Sequence, residues 1–320
     1  MADRQTKKML LAASTGGHLA QLVRLAPDLG AGPDSLWVTF RTPQSESLLR
    51  GKRVHYVPYV RPRDYVGAAR AAAHVRRLIR GERFDQAVST GAALAVSALP
   101  YARLRGIPTL YIESVSRVNG PSTSGRILAA LRCTELRTQH PRWAHGRWKV
   151  HQSVLSTYSV GQREGTESPR LFVTLGTIEG YRFDSLVDAV LDSGLADDRT
   201  VWQLGYTQRS DLPGQVSRFV SADEFAGHVR DADVVISHAG VGTILQLLEM
   251  GVFPVLATRR RERHEHVDDH QAQIAGTVNR LGVGIACETT ELDAATIIEA
   301  SARFIDLGAS ERETEEAPIR

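Results

Sequence analysis

Cysteine is scarce in this chain of 320 residues: Cys133 and Cys287 stand far apart, with no CxxC pair and no zinc-ligand spacing. That excludes a disulfide scaffold or a zinc ribbon and fits a reducing compartment. Lysine is scarce too, with only Lys7, Lys8, Lys52 and Lys149 among 39 basic residues, a bias that a GC-rich genome explains as well as any function does. No apolar run approaches the ~20 residues needed to span a bilayer. The N-terminal MADRQTKKML has no signal-peptide core of adequate length, so a cytoplasmic protein, free or peripheral on the inner face of the plasma membrane, is expected. A large excess of one charge sign is also missing. The formal net charge of +3 does not by itself argue for nucleic acid, and no nucleic-acid partner is expected. There is no G-x-G-x-x-G fingerprint, and Phe40-Arg41-Thr42 stands where an acid would close the second strand of a dinucleotide fold. A nicotinamide or flavin site is therefore disfavoured.

What is present is an alternation of short apolar strands and helices. Strand patterns lie at 8–14, 35–40, 53–59, 84–90 and 108–114, with helical patterns at 18–29 and 66–80. After a polar, glycine-bearing stretch the alternation restarts, with strands at 170–177, 200–206, 217–222, 232–240 and 253–259 and helices at 183–194 and 243–250. Such alternation predicts parallel βαβ units. The expected architecture is α/β: two Rossmann-like doubly wound domains, residues 1–155 and 170–308, joined by a linker at 156–169 and followed by a flexible tail at 309–320. No sequence repeat relates the halves. Ligands on such sheets sit at the carboxyl ends of the strands, and a cleft between the domains is the expected site.

Two glycine-bearing stretches carry the chemistry. The first is AASTGGHLAQL (12–22), where a strand turns into a helix. Gly16 and Gly17 can present N–H groups to a pyrophosphate there, and His18 follows them. The second is SHAGVGTILQLLEMGVFPV (237–255), in which Gly240 and Gly242 open a helix whose free N–H groups favour an anion. Glu249 lies near that helix's end, and Gly251 reads equally as its C-cap.

The stretch from Ser237 to Pro254 resembles the donor-binding signature of GT-B glycosyltransferases that use UDP-sugars, the group that contains the lipid II-forming N-acetylglucosaminyltransferase of family 28. FVTLGT (172–177) followed by FDSLV (183–187) is similar to the catalytic subunit of the two-part enzyme that adds the second N-acetylglucosamine to a dolichol pyrophosphate sugar, and to a paired bacterial exopolysaccharide glucuronosyltransferase. STGGHLAQL and YIESVSRV (111–118) resemble the partner subunit of those pairs, the membrane-recruiting, acceptor-binding half. The resemblance implies both halves in one polypeptide, partner half first. It implies a donor site of Gly176, Thr177, His238, Ala239, Gly240, Val241, Gly242 and Thr243, with Glu249 on the ribose and Asp269 and Gln271 on the sugar. For the acceptor pyrophosphate it implies Ser14, Thr15, Gly16, Gly17 and Arg117.

An inverting transfer needs a base for the acceptor hydroxyl. His18, with a pKa near neutrality, suits that task, and Glu113 is the competing candidate. GT-B enzymes stabilise the leaving UDP with helix N-termini and side chains, so no cofactor and no metal are expected, although HEHVDDH (264–270) gathers three histidines and three acids. The basic run 259–263 suits a diphosphate, a sugar carboxylate or plain solvation. Segments 61–80 and 142–149, rich in arginine and, in the latter, tryptophan, suit an anionic membrane surface or, the better reading for 61–80, a sheet-covering helix with a solvated face. The donor candidates are UDP-N-acetylglucosamine and UDP-glucuronate, and the acceptor candidate is a polyprenyl-pyrophosphate sugar of surface-polysaccharide assembly. The alternatives are a natural-product transferase with a soluble acceptor, a GT-B sugar-nucleotide 2-epimerase, and a non-catalytic scaffold subunit.

Overall fold

The computed structural model describes residues 6–60, 65–177, 179–266 and 270–307. The chain falls into two compact units, Met1–Val154 and Leu155–Arg320. In the first unit β1 (Met9–Ala13), β2 (Leu36–Phe40), β3 (Arg53–Val57), β4 (Gln86–Gly91), β5 (Thr109–Ile112), β6 (Glu135–Thr138) and β7 (Trp148–Val150) form one parallel sheet in the order β3-β2-β1-β4-β5-β6-β7. Five helices accompany it: α1 (Gly17–Leu25), α2 (Pro43–Leu48), α3 (Tyr65–Gly81), α4 (Ala93–Leu104) and α5 (Thr123–Leu131). The central strands MLLAA and LWVTF are buried at every position, as strands covered on both faces must be. Helix α1 stops at Leu25, short of Leu29, because Pro27 has no N–H to continue the ladder.

The second unit holds β8 (Ser159–Gln162), β9 (Leu171–Thr174), β10 (Val201–Gln203), β11 (Gln215–Ser217), β12 (Val234–His238), β13 (Val255–Ala257), β14 (Ile285–Cys287) and β15 (Arg303–Asp306). Its helices are α6 (Asp184–Asp192), α7 (Ala222–Asp231), α8 (Val241–Glu249), α9 (His270–Leu281) and α10 (Ala294–Ser301). Six strands pair in parallel in the order β11-β10-β9-β12-β13-β14. Counted within its own sheet, the first runs 3-2-1-4-5-6-7 and the second 3-2-1-4-5-6, so the order reverses between β1 and β4 in one and between β9 and β12 in the other. These are the points where a doubly wound sheet opens its ligand crevice.

Several expectations shift. The segment 156–169, expected as a linker, belongs to the second unit: β8 pairs antiparallel with β15, Tyr158 is buried, and the Thr166 N–H donates to Ser301 Oγ at 3.0 Å. Its strand SVGQ is mostly exposed and lacks the apolar alternation that would have marked it. The strand expected at 217–222 is Gln215–Ser217 instead, since Ser221 caps α7 in a box with Glu224. The short strands β6 and β7 carry polar residues and were not predicted. The two tryptophans of 142–149 pack inward rather than toward a membrane: Trp143 is buried, stacks edge-to-face on Trp148 at 5.1 Å, and donates Nε1–H to the Arg117 carbonyl. The expected tail 309–320 lies outside the described residues. No described helix is long and apolar enough to cross a membrane.

Candidate active site

At the β1/β4 switch point the predicted motif forms the turn from β1 into α1. Gly16, at φ 80°, is the N-cap, and no side chain caps the helix. The helices that start at Thr42, Ser122, Ser221 and Asp293 all receive side-chain caps. An uncapped glycine start leaves first-turn N–H groups for a ligand. The Gly16 N–H itself donates to Gln44 Oε1 at 2.8 Å, so Gly17 and the residues after it hold the open donors. Ser14 is buried beneath the turn, and Thr15 is half-buried.

His18 is fixed by β4. Its Nδ1 lies 2.9 Å from the Thr90 carbonyl oxygen, which can only accept, so Nδ1 carries the proton and Nε2 the lone pair. The Thr90 hydroxyl returns a bond to the His18 carbonyl at 2.6 Å. Gly91, at φ 137°, makes room for the ring: a Cβ there would lie 2.6 Å from Cε1 and Nδ1. Ala92 follows at φ 59° without being glycine, a strained conformation of the kind that gathers at functional turns. Burial holds the imidazole below the usual histidine value, opposed by the Thr90 bond and the Glu113 carboxylate. It is a neutral base near pH 7.

Glu113, directly after β5, is fully buried and fully occupied. Oε1 accepts from the Tyr111 hydroxyl at 2.9 Å and the Ser114 N–H at 3.2 Å; Oε2 accepts from the Ser122 N–H at 2.8 Å and its hydroxyl at 3.0 Å. Burial and the carboxylate keep the Tyr111 phenol well above its ordinary value, hence a donor. The carboxylate thus pins the loop of Ser114 to Ser122, which carries Arg117. A residue missed in the sequence, Gln21 on α1, ties that loop to His18's helix. Its amide donates to the Gly17 carbonyl and Ser114 Oγ and accepts from the Val115 N–H and Gln139.

The β9/β12 switch point of the second unit carries the other motif. His238 ends β12; Ala239 is buried; Gly240 is the uncapped N-cap of α8, whose first turn holds Val241, Gly242 and Thr243. Gly176, at φ 77°, and the exposed Thr177 follow β9, and a Cβ on Gly176 would lie 2.6 Å from His238 Cε1. Burial, with the Arg259 cation beside it, pushes His238 down to about 3. This ring is neutral throughout the physiological range.

A model of the glycosyltransferase family 28 C-terminal domain matches residues 187–317. The UDP-N-acetylglucosamine–N-acetylmuramyl-(pentapeptide) pyrophosphoryl-undecaprenol N-acetylglucosamine transferase of Synechococcus sp. (strain WH7803) is 27% identical over 299 residues, 83% of this chain and 80% of that protein. The UDP-N-acetylglucosamine transferase subunit ALG13 of Yarrowia lipolytica is 30% identical over 121 residues, 33% of this chain and 57% of that subunit. Among solved structures, Acinetobacter baumannii MurG superposes with a TM-score of 0.54 at 19% identity, covering 91% of this chain and 89% of MurG. The chain has the GT-B fold, and its second unit is related to the family 28 glycosyltransferases.

Within this fold the predicted donor residues divide. Gly176, Thr177 and His238 to Thr243 are brought to one switch point. Glu249 is not: it ends α8, eight residues and so roughly 12 Å along the axis from Val241, and its carboxylate accepts from Tyr158 at 2.6 Å. Gln246, one turn nearer the loop on the same face as Gly242, is exposed. Gln271 is buried, and its Oε1 accepts from the Arg259 N–H at 3.3 Å. Asp269 lies outside the described residues. The basic run 259–263 is largely structural: Arg260 pairs with Glu288 at 2.6 Å and Arg263 with Glu265 at 2.9 Å. At the carboxyl ends of β10 and β11, Arg218 lies 5.0 and 5.1 Å from the Tyr206 and Phe219 rings, which meet edge-to-face at 5.6 Å, and Phe219 is 47% exposed. Among the described residues no three His, Cys, Asp or Glu side chains are placed to hold a metal ion.

Proposed function

We propose that this transferase moves N-acetylglucosamine from UDP-N-acetylglucosamine, with inversion, to a hydroxyl of a lipid-linked pyrophosphate sugar. The observation that carries the donor half is the loop pair at the β9/β12 switch point, an uncapped helix start at Gly240 beside a neutral His238, inside a unit that matches family 28. N–H groups of the first turn of α8 hold the diphosphate. Phe219 supports the base, and Gln246 rather than Glu249 reaches the ribose, since Tyr158 already engages Glu249. The Synechococcus and Yarrowia relatives are both named for UDP-N-acetylglucosamine, which favours that donor over UDP-glucuronate.

In the first unit His18 Nε2 takes the acceptor hydroxyl's proton. The acceptor oxygen bonds to the anomeric carbon, the bond from that carbon to the β-phosphate oxygen breaks, and UDP leaves with the electron pair. Glu113 holds the Ser114–Ser122 loop rather than serving as base, because its four hydrogen bonds leave it no free lone pair of good geometry. The turn Ser14–Gly17 and Arg117 receive the acceptor pyrophosphate. The pyrophosphoryl-undecaprenol acceptor in the Synechococcus relative's name supports this acceptor class.

The test is UDP release by the purified chain with each UDP-sugar against a short-chain prenyl pyrophosphate N-acetylglucosamine. Acceptor-dependent release, faster with UDP-N-acetylglucosamine, is expected. Release from UDP-glucuronate alone would overturn the donor assignment. Release that ignores the lipid-linked acceptor would overturn the acceptor class.

A further inference from the structure

Arg259 is the most buried charged residue among the described residues of the second unit, 1% exposed, two residues beyond β13. Its guanidinium is spent on carbonyl oxygens: Nη2 donates to Leu175 at 2.5 Å, and Nη1 to Glu265 at 2.8 Å and Arg182 at 3.4 Å. It lies 4.8 Å over the Phe183 ring, and its Nε has no hydrogen-bond partner. No described carboxylate forms an ion pair with it. The nearby Glu265 carboxylate is committed to Arg263, to the Arg260 N–H and to the Ser185 hydroxyl. A buried cation compensated by backbone dipoles, an aromatic face and the field of a carboxylate committed elsewhere is costly unless something else is gained. Leu175, which it grips, is the residue before Gly176, and His238 feels its charge from the adjacent strand.

We propose that Arg259 is a positioning residue for the donor: it clips the β9–α6 loop from behind and supplies the buried positive charge that recognises the diphosphate without touching it. This rests on the UDP-sugar reading above. The direct counter-charge that Glu265, engaged elsewhere, does not supply arrives with the ligand, so the site discriminates a nucleoside diphosphate from the bare nucleoside. A guanidinium suits the task because three carbonyls in different directions fix its fork, whereas an ammonium would hold the charge but lose the clip.

The experiment measures binding of UDP and of uridine to the full chain by calorimetry, for wild type, Arg259→Met and Arg259→Lys. Methionine keeps the apolar stem over Phe183. Arg259→Met is expected to weaken UDP about tenfold while uridine stays within about twofold, and Arg259→Lys, which keeps the charge without the clip, to fall between Arg259→Met and wild type. A parallel fall in both ligands would mean a purely structural role and overturn the proposal, as would unchanged UDP binding. Should Arg259→Met not fold, Arg259→Gln serves as the neutral variant under the same criterion. Failure of the wild type to bind either ligand would instead remove the donor reading, and this proposal with it.

Discussion

The two units are built on one strand order and put opposite charges at the same place. The loop after the fifth strand buries an acid in the first unit, Glu113 after β5, and a base in the second, Arg259 after β13. Each switch point also seats a histidine against a positive-φ glycine of the neighbouring strand, but the partners trade places. In the first unit the histidine follows strand one and the glycine, Gly91, ends strand four; in the second the glycine, Gly176, follows strand one and the histidine ends strand four. Burial lowers both histidines; the Thr90 bond and the acid oppose that shift at His18, whereas the cation adds to it at His238. One topology thus sets a buried acid near one histidine and a buried cation near the other.

Breaking this contrast begins with His18. His18→Ala is expected to lower kcat by about 100- to 10,000-fold, as loss of a general base does, with UDP affinity unchanged. Equal loss in UDP affinity, measured by calorimetry, would undo the division of labour. Next comes pH. His238 is held at about 3 in the fold against an ordinary 6.5, so the unfolded chain binds more protons throughout that window. Its stability contribution is full above pH 6.5 and is lost as pH falls toward 3, at up to about 1.4 kcal/mol per pH unit. His18, shifted the same way, adds to the slope. Urea unfolding of His238→Gln across that range should show a shallower dependence than wild type.

Glu113→Gln tests the acid of the first unit. An amide cannot accept all four bonds, so a loss of about 1–3 kcal/mol in unfolding free energy is expected, with a smaller effect on UDP binding than on acceptor KM. The smallest effects sharpen the exchange of partners. Gly91→Ala displaces the ring of His18 and should lower kcat about tenfold at unchanged UDP affinity. Gly176→Ala displaces His238 and should raise the UDP Kd by a similar factor. If both variants affected the same parameter, the two histidines would not have separate tasks.

Much of the site was legible because its signals are local. Glycine–glycine–histidine after an apolar strand, and glycine–x–glycine opening an apolar helix, state a turn and a free helix start within six residues. The engagement of Glu249 by Tyr158, 91 positions away, left no trace in the motif. Gln21 and Gln139 meet across 118 positions, and Arg259 reaches Leu175 across 84, separations that leave no periodic or spacing signal. Tryptophans beside arginines suggested a membrane surface, and their stacking on each other could not be foreseen from composition.

The sequence by itself determined the α/β alternation and the two glycine turns, because apolar periodicity and the loss of Cβ act on neighbouring residues. It also marked His18 and His238 as the side chains at those turns. Only the tertiary structure decided the pairing of each histidine with a glycine from another strand, the tautomer of His18, and the burial of an acid in one unit and a base in the other. Those depend on desolvation and on hydrogen bonds between distant segments, which exist only once the sheets are assembled.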